Sequence, residues 1–428
     1  MEPVLQLALD FVNLEQALRA AREAYAGGVR WLEAGTPLIK SEGLDAVRAL
    51  RKEFPQATIV ADLKTMDAGR GEMEMAAKAG ADIATVMAAA CDSTIEECIE
   101  AGRNYGIRVA VDFLNIPNVV ERARQVAALH PGHVGVHVPI DDQMRGKASF
   151  DTLRQVLDVV DCPVAIAGGI NSETIVDALQ AGASIFIVGG AITKAKDAQQ
   201  ATRQLRQALE TRTKIETKLY KRVSDENVRD ILMEVSTANI CDGNHRMPSL
   251  ANLRPIRDGL KMVGPAVTVR TMPGDWSKPV QAIDAANPGD VIVIQTDGTQ
   301  AVWGELATHS AKIKGLAGVV IDGAVRDVAD IRKLDFPVFA RAIQPTAGEP
   351  KGFGEINAPI RVGGVKICPG DWIVGDDDGV VSIPRHKLAE IANRAMDCLE
   401  KENRIRQEIE AGRSSLSKVM DILRWEKQ

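Results

Sequence analysis

The stretch ADLKTMDAG, residues 61 to 69, sets Lys64 between two carboxylates, Asp62 and Asp67. The residues before it, FPQATIV, read as a buried strand, and those after it, RGEMEMAAKAGAD, as a helix. Three charges at the end of a buried strand are a costly placement unless they do chemistry. Two carboxylates sharing a divalent cation suit Mg²⁺ or Mn²⁺, hard ions that want oxygen ligands and a polar substrate. Such an ion can clamp adjacent oxygens of a ketose and stabilise an enediolate. A lysine kept charged by flanking acids can neutralise the oxyanion that develops. A carboxylate or a histidine nearby can shuttle the protons. A Schiff-base lysine needs the opposite setting, a desolvated or cation-flanked amine of lowered pKa, and Lys64 does not have it.

Something must hold such a group in place, and the surrounding pattern says what. From residue 4 to about 210, short apolar runs alternate with alanine-rich helical stretches that stop at glycine. The runs are VLQLALD, WLEAGTP, TIVADLK, IATVMAA, RVAVDFL, HVGVHVP, PVAIAGG and SIFIVGG. Strand and helix in strict alternation imply a parallel sheet with helical crossovers. About eight units in about 210 residues match a (β/α)8 TIM barrel, whereas an open doubly wound sheet usually has fewer strands. Barrel chemistry gathers where strands run into their C-terminal loops. Side chains two apart on a strand share a face, so Asp62 and Lys64 are expected together at the mouth, with Asp67 in the loop beyond. The same reasoning brings in Asp10, Glu33, Asp112 and His137 at the ends of strands one, two, five and six. Strands seven and eight end in Gly168-Gly169 and Gly189-Gly190, where bare backbone can approach a phosphate. Any one of these residues has an ordinary explanation as a turn former, helix cap or packed histidine. Their convergence on one rim points to a metal-capable phosphate-ester site. His130 and His133 fall at the opposite end of strand six and are assigned to structure.

Composition bounds the rest. A chain of 428 residues exceeds one ordinary domain and is within reach of two. A net charge of -6 argues against a nucleic-acid footprint. Six scattered cysteines, with no paired spacing, read as thiols in a reducing compartment. The N-terminus lacks the apolar core of a signal peptide, and no apolar run approaches a membrane span. The sequence reads as a soluble, cytoplasmic protein with no membrane or nucleic-acid partner.

Asp62-x-Lys64-x-x-Asp67 resembles the signature of the orotidine-5'-phosphate decarboxylase superfamily. ALD, EAGTPLIKSEG, ADLKTMDAG, VDFLN, IAGGI and IVGGAIT resemble its 3-hexulose-6-phosphate synthases, from residue 4 to about 208. The resemblance implies Mg²⁺-dependent condensation of formaldehyde with ribulose 5-phosphate, or the reverse cleavage. It implies Glu33 and Asp62 as metal ligands, and Lys64 with Asp67 stabilising or protonating the enediolate. His137 would assist proton transfer, and the glycine pairs would hold the phosphate. The acid at position 67 crosses from a neighbouring subunit in this superfamily, so a dimer of barrels is implied. Related 3-keto-L-gulonate-6-phosphate decarboxylases carry an arginine where this chain has Ile140, which favours the synthase. Synthases usually read His-x-Gly-x-Asp-x-Gln here. This chain keeps Asp141 and Gln143 but has Pro139 at the glycine position, so the loop is expected to keep its contacts in a stiffer form.

Beyond about residue 210 the rhythm changes. ETRTKIETKLYKRVSDENVRD is charged, lacks glycine and proline, and reads as a helical linker. Strands of another style follow, two of them preceded by Pro-Gly-Asp, and from about residue 385 a long amphipathic helical region closes the chain. Domains are expected over 1–212 and 213–428. The chemistry candidate is WGELATHSAKIKGLAGVVIDGAVRD, in which Gly304 opens a helix and a strand delivers Arg326-Asp327. A helix start, an arginine fork and a metal carboxylate together suit a 2-oxo acid such as pyruvate; the plain alternative is a solvated loop pair. GELA, GVVIDGAVRD, PVFAR and PGDWIVGDDDGVVSIP resemble the RraA-like family over about 220–390. That family includes 4-hydroxy-4-methyl-2-oxoglutarate aldolases with oxaloacetate decarboxylase activity and non-catalytic ribonuclease E regulators. The resemblance implies an α/β domain assembling as a trimer. It casts Arg326 as the catalytic carboxylate holder, Asp327 as metal ligand, and Glu305 as the acid orienting metal-bound water. The Leu306 and Ala307 amides would hold pyruvate. Three readings stand: a two-site lyase, a barrel enzyme with a regulatory or assembly domain, and a barrel with keto-sugar-phosphate decarboxylase activity. Barrel dimers and second-domain trimers are compatible as a hexamer.

Overall fold

The eight apolar runs form eight parallel strands: β1 (Val4–Leu9), β2 (Trp31–Ala34), β3 (Thr58–Thr65), β4 (Ile83–Met87), β5 (Arg108–Asp112), β6 (His133–His137), β7 (Val164–Ala167) and β8 (Ile185–Val188). Each pairs with the next, and β1 pairs with β8 from Val4↔Ile185 to Leu7↔Val188, closing the barrel. The computed structural model describes residues 2–145, 150–217, 223 and 227–420, apart from the side chain of Asp141.

Small residues explain how the helices lie against the strands. The helix Leu14–Ala26 buries Ala17, Ala20, Ala21 and Ala24, one face at i, i+3, i+4 and i+7. Asn13 caps it by accepting a hydrogen bond from the Gln16 amide. The strands are apolar almost throughout because parallel sheets are covered on both faces.

The chain groups into two compact units, Met1–Arg222 with Glu400–Gln428, and Val223–Leu399. The second unit is built on a nine-stranded mixed sheet. Its strands are β9 (Arg254–Pro255), β10 (Met262–Thr271), β11 (Val291–Gln295), β12 (Ala301–Trp303), β13 (Gly318–Val325), β14 (Val338–Ile343), β15 (Gly354–Ile356), β18 (Trp372–Asp376) and β19 (Gly379–Ile383). The main order is β19-β18-β10-β11-β13-β14-β9, with β12 on β13 and β15 on β10. The four central strands β10, β11, β13 and β14 run parallel. A separate hairpin joins β16 (Ile360–Val362) and β17 (Val365–Ile367).

The expected helical linker differs from the observed chain where the structure describes it. Residues 213–217 are not helical. Ile215 N–H donates to the Ser172 carbonyl, Ser172 Oγ donates back to the Ile215 carbonyl, and Thr217 N–H donates to Glu173. These polar contacts satisfy the backbone outside a helix, which outweighs the weak helical propensity of a threonine-rich segment. Residues 218–222 and 224–226 of that stretch lie outside the described residues.

Candidate active site

Lys64 reaches the mouth of the barrel in a different way from simple strand alternation. The β3–β4 register shifts between Ala61 and Thr65, so Ala61 pairs with Ala84 and Thr65 with Val86. The extra β3 residues bulge, and Lys64 adopts a left-handed backbone with φ of 49°. For a residue with a Cβ this conformation costs on the order of 1–2 kcal/mol, and such strain gathers at working sites.

Around Lys64 the strand ends bring four carboxyl groups and one histidine. Its Nζ lies 3.0 Å from Asp62 Oδ2 and 3.3 Å from Asp112 Oδ2. Asp112 Oδ2 is also 3.2 Å from His137 Nδ1, so one carboxylate joins the lysine to the histidine. Burial works against ionised Asp112, but the His137 hydrogen bond, its charge and Lys64 outweigh it and hold the carboxyl below its ordinary value. An ionised carboxylate only accepts, which assigns the proton of this bond to His137 Nδ1 and leaves Nε2 as the basic nitrogen. Burial alone would lower the Lys64 pKa; Asp62 and Asp112 reverse that and raise it.

Glu33 and Asp62 are both buried. Burial first, then Asp62 and Asp10, push the Glu33 carboxyl well above its usual range. Asp10 is open to solvent as a residue, yet its carboxyl sits in a concavity. A Cβ on Gly35 would lie 2.3 Å from Asp10 Oδ1, and one on Gly189 3.6 Å from Oδ2. Its pKa is raised by that enclosure and by Asp62. Three crowded carboxyl groups with one lysine therefore lack positive charge. A divalent cation on Glu33 and Asp62 fits that deficit. Among the described residues no group of three His, Cys, Asp or Glu forms a metal cage. Such an ion would rely on water and substrate oxygens for its remaining ligands, as Mg²⁺ commonly does.

Neutral side chains complete the setting, and sequence reasoning missed them. Gln6 Nε2 donates to Glu33, while its buried Oε1 has no partner. Thr36 Oγ1 donates to Asp62 Oδ2 and Thr85 Oγ1 donates to Asp62 Oδ1. Gln6 was findable: it is a polar residue inside an apolar strand, in phase with Asp10. A lumen cavity of about 50 Å³ is lined by Gln6, Glu33, Asp62, Lys64, Asp112 and His137, among others. His133 lines the same cavity from below, buried and pushed down to about 4 by burial and Arg108.

Asp67 is not brought to Lys64 within this chain. It is exposed, and its Oδ1 accepts from the next amide, Ala68 N–H. Gly168 and Gly169 have φ of 98° and 73°. A Cβ on Gly168 would meet Gln143 Nε2 at 2.6 Å and the Val138 carbonyl at 2.8 Å, so both space and backbone require glycine there. Gln143 is buried and donates to that carbonyl; the side chain of Asp141 lies outside the described residues. Gly189 and Gly190 lead into the short helix Gly190–Thr193.

In the second unit the helix Glu305–Lys314 starts beside Arg326 and Asp327. Asp327 Oδ2 accepts from Glu305 N–H at 3.3 Å and lies 3.4 Å from Arg326 Nε. A Cβ on Gly304 would fall 2.5 Å from Asp327 Oδ2, so glycine lets the carboxylate reach the helix start. Asp327 itself is left-handed, with φ of 59°. Glu305 Oε1 pairs with His309 Nε2 at 2.9 Å, one helical turn on. Leu306 is 80% exposed and Ala307 half-buried. His309 was missed, although its i+4 spacing from Glu305 was visible.

Comparison with known proteins decides the family. Residues 3–205 match the orotidine 5'-phosphate decarboxylase/HUMPS family model. A 3-hexulose-6-phosphate synthase of Bacillus subtilis is 38% identical over 206 residues, which cover 48% of this chain and 98% of that protein. The chain belongs to the orotidine 5'-phosphate decarboxylase/HUMPS family. Residues 237–382 match the RraA-like family model, described as Aldolase/RraA. An uncharacterised protein of Methanocaldococcus jannaschii is 43% identical over 201 residues, covering 46% of this chain and 94% of its own. A crystal structure of a 3-hexulose-6-phosphate synthase covers 48% of this chain and 99% of its own, at 38% identity and a TM-score of 0.46. The fold is a closed eight-stranded barrel within the orotidine 5'-phosphate decarboxylase/HUMPS match, followed by an RraA-like α/β domain.

The charge deficit at Glu33 carries a pH-dependent consequence. Its folded pKa lies above the ordinary 4.5, so the native state holds a proton that the unfolded chain has lost. Without a cation, that group costs stability as pH rises from about 4.5 through the raised value. A bound cation removes the cost, and at about a hundredfold over its Kd it stabilises by about 2.7 kcal/mol. Scanning calorimetry should show Mg²⁺ raising Tm more at pH 8 than at pH 5, and Glu33→Gln should abolish the difference. An equal shift at both pH values would reject the site.

Proposed function

We propose that the barrel is an aldehyde-lyase that joins formaldehyde to C1 of ribulose 5-phosphate, giving 3-hexulose 6-phosphate, or runs the reverse cleavage. The observation that carries this reading is the chain of contacts Asp62–Lys64–Asp112–His137 at the barrel mouth. His137 Nε2 takes the C1 proton, and the Lys64 ammonium holds the oxygen on which negative charge develops. C1 then bonds to the formaldehyde carbon, and the aldehyde oxygen takes a proton from the same imidazole. Asp112 steadies the imidazolium between the two transfers. Mg²⁺ or Mn²⁺ on Glu33 and Asp62 would polarise the ketose oxygens when bound. The two glycine pairs bind the phosphate through backbone amides. Asp10 adds a further carboxyl at the rim, its pKa raised by enclosure and by Asp62.

The exposed Asp67 supports an assembly in which a second copy supplies that carboxylate to Lys64. With threefold contacts through the RraA-like domain the chain would form a hexamer, and an active monomer in light scattering would reject this. A cytoplasmic setting fits the reading; no helix among the described residues is long and apolar enough to cross a membrane.

The second domain, taken over 213–428, carries a separate 2-oxo-acid aldolase or decarboxylase site. Its support is the cluster of Arg326, Asp327 and Glu305 at one helix start. Arg326 forks onto a substrate carboxylate, and the Leu306 and Ala307 amides receive the oxo acid. Asp327 and Glu305 would hold the metal and its water. Purified protein with Mg²⁺ should consume formaldehyde with ribulose 5-phosphate and release pyruvate from oxaloacetate. Asp62→Ala should abolish the first reaction alone, and Asp327→Ala the second alone. Failure to cleave any 2-oxo diacid would leave the second domain as a regulatory or assembly module. If ribulose 5-phosphate does not react but 3-keto-L-gulonate 6-phosphate loses CO₂, the barrel is a decarboxylase instead.

A further inference from the structure

The strained backbone at Lys64 needs something to hold it. Between Ala61↔Ala84 and Thr65↔Val86 the β3–β4 ladder skips, so Lys64 N–H is deprived of a strand carbonyl. Thr85 is the β4 residue opposite this gap, and it is buried. Its Oγ1 accepts from Lys64 N–H at 3.0 Å and donates to Asp62 Oδ1 at 2.8 Å. One hydroxyl thus uses its acceptor on the backbone of the lysine and its donor on the carboxylate that pairs with the same lysine.

We propose that Thr85 is a positioning residue that fixes the left-handed turn at Lys64 and thereby aims the ammonium between Asp62 and Asp112. The hydroxyl closes a loop of three bonds: Lys64 N–H to Thr85, Thr85 to Asp62, and Asp62 to Lys64 Nζ at 3.2 Å from its Oδ1. Remove the hydroxyl, and a part-buried N–H loses its partner while Asp62 Oδ1 loses a donor. The left-handed conformation then has nothing to offset its cost, and Lys64 can relax toward regular strand geometry. That relaxation turns the lysine away from its working face, since one residue of strand shift reverses side-chain direction. Thr36 secures the other oxygen of Asp62 but makes no bond to the Lys64 backbone, so it cannot substitute for Thr85.

The catalytic half of this inference rests on the proposed role of Lys64; the positional half does not. Two variants of the full-length protein separate them. Thr85→Val keeps shape and strand propensity but has no hydroxyl, and Thr85→Ser restores the hydroxyl without the methyl. In selectively ¹⁵N-lysine-labelled protein, the Lys64 amide, assigned by its absence in Lys64→Arg, should shift and lose hydrogen-exchange protection in the valine variant. It should stay in place in the serine variant. In the formaldehyde assay Thr85→Val should lower kcat by about 10- to 100-fold, the usual effect of removing a partner that orients a working group. KM for ribulose 5-phosphate should change by less than about threefold, because uniform binding is untouched. Thr85→Ser should recover most of kcat; a role in packing alone would not be rescued this way. An unmoved Lys64 amide in the valine variant overturns the proposal, and so does a moved amide with unchanged kcat. If wild type does not condense formaldehyde, the proposed activity falls and the amide comparison alone decides the positional claim. If the valine variant does not fold, Thr85→Ala gives the same readouts.

Discussion

Lys64→Ala is expected to lower formaldehyde condensation by about 10²- to 10³-fold, the range for losing one preorganised charge-stabilising group. The variant removes the cation nearest to where the enediolate charge must develop, at 3.0 Å from Asp62 and 3.3 Å from Asp112. It also leaves Asp62, Asp112 and Glu33 with less compensating charge. Turnover, not substrate affinity, should carry the loss, because the proposed phosphate contacts, the two glycine pairs, are separate from Lys64. The pH profile gives a second check. Lys64 is raised above its ordinary 10.5, so its charge and the pairing it provides persist below that value and are lost only as pH climbs through the raised one. Lys64→Arg should therefore leave the kcat profile below about pH 10 unchanged in shape. Near-normal condensation by Lys64→Ala in a stopped assay would remove the lysine from the mechanism.

Most of the barrel was legible because its signal is redundant. Eight apolar runs, each followed by an amphipathic stretch, leave few other ways to bury both faces of a sheet. The charged and histidine positions at the strand ends were legible for the same reason, since period-two alternation fixes which residues face the lumen. Lys64 shows the limit. Alternation put it on the face of Asp62, whereas the chain reaches that result through a bulge and a left-handed residue. A bulge depends on the neighbouring strand, here on the Thr85 hydroxyl, and no local pattern in β3 announces it. Gln6, Thr36 and Thr85 were missed because neutral polar residues are common and carry no chemistry alone; their role exists only through the carboxylates they touch. Asp112 was legible only as a rim position at the end of strand five, because its place between Lys64 and His137 needs three strands at once. Asp67 posed a different problem. Within one chain it contacts its own loop and is not brought to Lys64, so no local pattern shows what it meets.

The other large effect concerns the end of the chain, where the sequence showed an amphipathic helix but not what its polar face meets. The helix Leu388–Glu410 contributes its residues from Glu400 onward to the first unit. There Glu400, Arg404 and Glu408 are buried at i, i+4 and i+8. Charges so placed persist only when paired. Arg404 Nη1 and Nη2 each lie 3.0 Å from an oxygen of Glu23 on the helix Leu14–Ala26, a bidentate pairing. Nη1 also donates to the Ala195 carbonyl at 3.2 Å, and Nε to Glu408 at 3.3 Å. Glu408 in turn meets Arg19, 3.2 Å away. Burial disfavours a charged guanidinium, but Glu23 and Glu408 more than restore it, so Arg404 stays ionised. Arg404→Ala would leave two carboxylates and a carbonyl without their shared donor. Breaking a buried pair from one side costs about 3–5 kcal/mol when the partner is stranded, and less here, because Arg413 stays 3.5 Å from Glu23 and Arg19 3.2 Å from Glu408. Hydrogen-exchange mass spectrometry should find faster exchange in peptides covering 14–26 and 190–212, with peptides over 262–325 unchanged. Glu23→Gln in the Arg404→Ala background should return part of the protection, because it removes a carboxylate that has lost its bidentate partner. Uniform loss across the whole chain, or no change over 14–26, would show that the cluster is a solvated decoration rather than a brace on the barrel.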